Sequence, residues 1–240
     1  MSARTVDWAA LRGPRIGAPE AEGLRERKKR LLRQELSDTA TELFVERGFE
    51  AVRVSEIAEA CGVSEKTVFN YFPTKESLVL DLPDATMAAL RIDLANRDLP
   101  PVEAARQILA DELGALTSWL GTQADPVQAV ARFQRFGALI HSTPSLRAHQ
   151  RDMTDRLIAV AAETLAERIG TSPDAPEPQL AATALLGLWQ IQFRALRKYL
   201  DDTRTPAQVR EAVTADVHRA AHLLDDGLAT FAVIPLRPPR

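Results

Sequence analysis

Residues 61–72 read CGVSEKTVFNYF, with a glycine where one helix should stop, a serine where the next should start, and aromatic residues crowded at the end. Gly62 can take the positive φ that a sharp corner needs, and Ser64 is a good N-cap for a helix beginning at Glu65. Just upstream, VSEIAEAC (54–61) reads as a short helix. Its Ala58 is small enough to let two helices touch, while Ile57, Val63 and Val68 can lock them together. With these turned inward, Glu65, Lys66, Thr67, Asn70 and Tyr71 are left near or at the outer surface, able to donate, accept and stack. A glycine corner also joins ordinary core helices. The stretch alone therefore leaves two readings: an α-hairpin with Tyr71 and Phe72 in the core, or a helix-turn-helix that enters a groove of DNA.

The flanks favour the second reading. A helix with Leu32, Leu36, Ala40 and Leu43/Phe44 at spacings of three and four runs from Leu24 to Gly48. Its front carries Arg25, Arg27, Lys28, Lys29, Arg30 and Arg33, which can supply phosphate attraction. Beyond the motif, FPTKESLV (72–79) places Lys75 near the start of a fourth helix expected at Thr74, where an ammonium can reach a phosphate.

The run ELFVERGFEAVRVSEIAEACGVSEKTVFNYFPTKESLV (42–79) resembles the N-terminal domain of TetR-family transcriptional regulators. The resemblance implies a three-helix DNA-binding domain over 24–80, with DNA contacts at Ser55, Glu65, Lys66, Thr67, Phe69, Asn70, Tyr71 and Lys75. Two positions depart from the family pattern. Arg53 stands where Thr usually caps the second helix; it cannot cap in that way, but its guanidinium can bind phosphate. Phe69 stands where Tyr is common, which exchanges a hydroxyl contact for an apolar one, such as to a thymine methyl. Glu65 would repel phosphate unless it accepts from a cytosine amine.

The chain as a whole has 240 residues, enough to bury a core without disulfides, and its one cysteine, Cys61, excludes a disulfide framework. Together with the lack of a long apolar run or a signal-like start, this gives the expectation of a soluble cytoplasmic protein. Net charge is −3, yet residues 1–33 hold nine Lys/Arg against four acids. Positive charge is thus concentrated at one end. Residues 1–23, with three glycines and two prolines, read as a flexible extension, and 232–240 as a flexible tail.

From 81 to 231 the expectation is a larger helical domain, giving an all-α chain of about nine helices. Breaks at 96–101, 121–126, 141–145, 172–178 and 201–206 all contain proline, and read as helix starts. Pro83 is expected to kink the fourth helix. The segment 180–200 is apolar around most of its circumference, and 209–231 is amphipathic. In the family the last two long helices pair with those of a second copy, which makes Ala184, Leu188, Ile191 and Ala195 the candidate homodimer stripe. The resemblance also implies an effector pocket. Trp119, Phe133, Phe136, Leu139, Ile140, Trp189 and Phe193 are its candidate lining, with Arg132, Arg135, His141 or Arg194 as polar anchors. The segment 131–200 resembles a subgroup that binds acyl-CoA-like ligands, so an elongated amphipathic effector is expected.

Three other functions compete. An enzyme would need a nucleophile elbow, phosphate loop, dinucleotide fingerprint or metal triad, and none is present. His218 and His222, four apart with Asp225 near, match half a metal site, and packing is the preferred reading; no metal or cofactor is expected. An all-α protein-interaction module without DNA binding, or an activator of the same fold, remains the alternative to a ligand-released repressor on a palindromic operator.

Overall fold

The computed structural model describes residues 23–81 and 84–228. Among these residues the chain is helical without a strand: α1 (Leu24–Arg47), α2 (Val54–Ala60), α3 (Glu65–Tyr71), a single 3-10 turn (Glu76–Leu78), α4 (Asp84–Asp93), α5 (Pro101–Gly121), α6 (Pro126–Ser142), α7 (Pro144–Ile169), α8 (Pro176–Tyr199) and α9 (Pro206–Leu228). The all-α expectation holds. The extension before Gly23, the tail at 232–240 and the Pro83 kink lie outside the described residues.

Each of α5 to α9 begins on a proline. Its ring fixes φ near the helical value, and its missing N–H is one the first turn could not have paired anyway. At α6 the Asp125 carboxylate adds a cap, accepting from the Gln128 N–H at 2.9 Å. The helix expected at Thr74 is different. Thr74 and Ser77 cap each other at 3.2 Å, and Leu78 and Val79 then turn into the core, so the chain makes a 3-10 turn and the long helix waits until Asp84.

The described residues form two compact units. One, the head, takes those up to 81 together with Trp119–Asp152; the other, the body, takes Asp84–Ser118 and those from Met153 onward. The head core joins Leu36, Ala40 and Phe44 of α1, Ile57 and Ala58 of α2, Val68 of α3, and Phe72, Leu78 and Val79, with Ile140 of α6 and Leu146 of α7 against them. Full burial of each such large side chain stabilises by about 1.5–3 kcal/mol. In the body, α8 and α9 form an extensive helix pair, and Leu185 and Leu188 of α8 and Val209, Val213 and Val217 of α9 are buried. There Arg168 of α7 donates to the carbonyls of Leu94, Asn96 and Leu99 at 2.9–3.1 Å and fixes the connection between α4 and α5. No helix among the described residues is long and apolar enough to cross a membrane.

Candidate functional site

The corner between α2 and α3 is built by backbone bonds that only one sequence position must permit. Val63 N–H reaches back to the Ala58 carbonyl at 2.9 Å and Gly62 N–H to that of Glu59 at 3.0 Å, the paired bonds of a Schellman ending. They require the residue between them to sit at positive φ, and Gly62 has φ +65°. Ser64 then starts α3, its hydroxyl oxygen accepting from the Thr67 N–H at 3.1 Å. Ala58 and Val68 are buried and Val63 packs against the core.

This arrangement sorts the side chains of α3. Val68 is fully buried, whereas Glu65, Lys66 and Asn70 are exposed and Phe69 keeps 45% of its surface open. An apolar ring on the outer face of a polar helix is a group that water does not favour but a base edge or methyl would. Thr67 is half-buried, its hydroxyl 2.8 Å from that of Ser64, and Tyr71 is half-buried against the core. Lys28, Arg53 and Ser55 are exposed.

Two cations at this end face inward. Lys75 donates from Nζ to the Phe49 carbonyl at 2.5 Å and lies 4.4 Å from the Phe49 ring centre and 5.4 Å from that of Phe44. Arg33 donates to the Tyr71 carbonyl at 2.7 Å and, through Nε at 3.1 Å and Nη2 at 2.5 Å, to the Asp81 carboxylate, with its guanidinium 4.5 Å over the Phe72 ring. It therefore ties the end of α3 to α1 and to the chain that leaves the head. In the same unit His149 donates to the Leu80 carbonyl at 2.9 Å.

The Arg53 side chain carries only donors and cannot accept from the first turn of α2. The Glu56 carboxylate serves instead, accepting the Arg53 N–H at 2.7 Å and pairing with the Arg47 guanidinium at 2.7 Å. The backbone bond from Arg53 and then the Arg47 contact hold the Glu56 carboxyl below its usual pKa.

The candidate effector residues fall into both units. Trp119, Phe133, Phe136, Leu139, Ile140 and His141 belong to the head, where Ile140 is core and Phe136 and Leu139 pack against it; Trp189 and Phe193 belong to the body. Arg132 is half-buried, and Arg135, His141 and Arg194 are exposed. On α8 the candidate dimer residues also divide. Leu188 and Ala195 are buried within the chain itself, Ala184 and Ile191 are half-buried, and Leu180 is 71% exposed. His218 Nε2 lies 2.9 Å from Arg106 Nη2; as Arg can only donate, the imidazole is neutral and accepts there. His222 pairs with Asp225 at 3.6 Å.

Sequence reasoning missed Glu112. It stands on α5 among buried Ile108, Leu109, Leu113 and Leu116, and its two oxygens accept from the Thr86 hydroxyl at 2.6 Å and the Trp189 indole N–H at 3.0 Å. Burial pushes its pKa up, the two hydrogen bonds pull it back, and nearby Asp111 raises it further. A signal for it exists: an acid on the apolar stripe at three- and four-residue spacings. The inward role of Arg33 is legible in the same way, four residues before Ser37 on the buried face.

Two family models match parts of the chain. Residues 36–82 match the model of "Bacterial regulatory proteins, tetR family", and residues 123–229 that of the "MftR C-terminal domain". The regulator TcmR of Streptomyces glaucescens is 30% identical over 160 residues, covering 65% of this chain and 68% of that protein. MftR of Mycobacterium tuberculosis, named for mycofactocin biosynthesis, is 30% identical over 153 residues, covering 64% and 73%. Among solved structures, NalD of Pseudomonas aeruginosa, named as secondary repressor of the MexAB-OprM multidrug efflux pump, aligns at 21% identity and TM-score 0.49 over 80% of this chain and 96% of that one.

Proposed function

The chain belongs to the tetR family of bacterial regulatory proteins, DNA-binding regulators of transcription, and from that premise we propose that it is a homodimeric repressor released from a palindromic operator by a small molecule. The observation that carries the proposal is the division of α3: Val68 fully buried, with Lys66, Phe69 and Asn70 presented outward from a corner fixed by Gly62. Two short helices in this relation place the second in a major groove, and a single such helix reads few base pairs, so a second copy doubles the site. Leu180, Ala184, Gly187 and Ile191 recur at spacings of four, three and four along α8. They form the stripe we assign to the partner copy, in place of the buried Leu188 and Ala195. Lys28 and Arg53 supply phosphate contacts and Ser55 a further one. Lys75 acts from within, by holding the Phe49 carbonyl. A regulator acting on chromosomal DNA works in the cytoplasm.

The test is selection of bound duplexes from a random pool at roughly physiological salt, for the native chain and for Lys66→Ala/Phe69→Ala/Asn70→Ala. A two-fold symmetric site lost in the variant supports the reading. No enrichment with folded native protein rejects it, and enrichment of a single half-site rejects the homodimer.

A further inference from the structure

The body holds one acid that the DNA-binding reading does not use. Glu112 sits on the apolar face of α5 with burial as the main influence on its titration, and among the described residues no Lys or Arg acts on it; its hydrogen-bond partners are the neutral Thr86 and Trp189. The charged group that acts on it is another acid, Asp111, which raises its pKa. A carboxylate has about four lone-pair directions. Thr86 and Trp189 fill one on each oxygen. By surface exposure Glu112 and Trp189 are only half-buried, so part of the pair is open to a small molecule. Putting an acid there without a cation is costly, and two neutral donors offset only part of the cost.

We infer that the Glu112 carboxylate, held between the Thr86 hydroxyl and the Trp189 indole, is the anchor of the effector site, and that the effector is an organic cation with an apolar body. This rests on the reading of the body as the effector-binding unit. A protonated amine supplies the missing counter-charge and hydrogen bonds to the open lone pairs. Trp189, anchored at its N–H, can lay its ring against the same cation. The surrounding leucine and isoleucine side chains suit the remainder of the molecule. The charge demand is opposite to that of a phosphate- or carboxylate-bearing ligand, so an acyl-CoA head group does not occupy this anchor.

Direct calorimetric titration of the full chain tests the inference without DNA, so its failure is separate from failure of the operator reading. Three ligands of one shape serve as probes: 2-phenylethylamine, 2-phenylethanol and phenylacetate. The amine is expected to bind about tenfold or more tighter than the alcohol, the ordinary difference for a charge-assisted bond, and phenylacetate weakest. Glu112→Gln should remove the preference for the amine, and Glu112→Asp should keep it at reduced affinity. The latter variant retains the test if the former melts. Equal binding of amine and alcohol, a preference for phenylacetate, an unchanged preference in Glu112→Gln, or no binding of the amine at millimolar concentration each overturns the inference.

Discussion

The head and the body solve the problem of buried polar groups in different ways. In the head, side chains reach for backbone: Arg33 to the Tyr71 carbonyl, Ser37 to that of Leu78 at 2.6 Å, Lys75 to that of Phe49, and His149 to that of Leu80. Its helices α2 and α3 have seven residues each, so much of the chain there is irregular and needs partners for its carbonyls. In the body the helices are long and satisfy most of their own backbone; apart from Arg168, which holds the carbonyls of the α4–α5 connection, side chains there meet one another, as in Thr86–Glu112–Trp189 and Arg106–His218.

The severest way to probe this contrast is to break the head alone. Phe44→Ala removes a fully buried ring that also lies beneath Lys75, and should cost about 3–5 kcal/mol. With Trp8 and Trp119 replaced by Phe, Trp189 fluorescence follows the body while circular dichroism follows both units. Denaturation in urea should show the head lost first, and one shared transition would mean that the two units are not separable.

A smaller effect is expected at Arg33→Met. Its ion pair with Asp81 is part-exposed, so screening limits the loss to about 1–2 kcal/mol. Operator affinity should nonetheless fall about tenfold, because the end of α3 loses its tie to α1, while melting followed at Trp189 stays in place. An unchanged operator affinity would remove Arg33 from the positioning of α3.

One substitution should act with opposite signs in the two regions. Gly62→Ala meets no atom within 4 Å but forces alanine to φ +65°, costing about 1–2 kcal/mol. Gly187→Ala, inside α8 and equally uncrowded, should stabilise the single chain by up to about 1 kcal/mol through helix propensity. On the proposed stripe it should weaken the dimer, measurable by sedimentation against concentration; an undiminished dimer would move the interface off Gly187.

The gentlest probe is pH. Burial first, and then the adjacent Arg106, hold the His218 imidazole pKa below its usual 6.5, opposed by Glu103 and reinforced by His222. The unfolded chain then takes up the proton first. Stability from this group is complete above about pH 6.5 and declines as pH falls through that value. Melting of the body should drop slightly across this range, and His218→Gln should flatten its share of the dependence.

The same contrast explains what can be read in the sequence. Positive φ at Gly62, the cap at Ser64 and the proline at each of five helix starts are demands that single residues meet, so the corner and those helix starts are legible from the order of residues alone. Faces are less so. Leu188 and Ala195 share a helix with Ala184 and Ile191, and no periodicity says which of them is buried within the chain and which stays part-open. Lys75 and Arg33 resemble phosphate ligands because charge is visible in a sequence, whereas the Phe49 and Tyr71 carbonyls that claim them are common to every residue type. The fourth helix is expected too early because FPTKESLV contains a capping pattern, which serves a 3-10 turn equally well.

The prolines that open α5 to α9 also bear on how such a chain can change over generations. Each is a fixed left margin: a helix cannot grow backwards through a residue with no N–H, and a ring that clashes with the preceding turn forbids it sterically. Insertions or deletions in the segments before Pro126, Pro176 or Pro206 therefore lengthen or shorten a connection without rotating the apolar face that follows. The connections can drift freely while the core register of each helix is inherited intact.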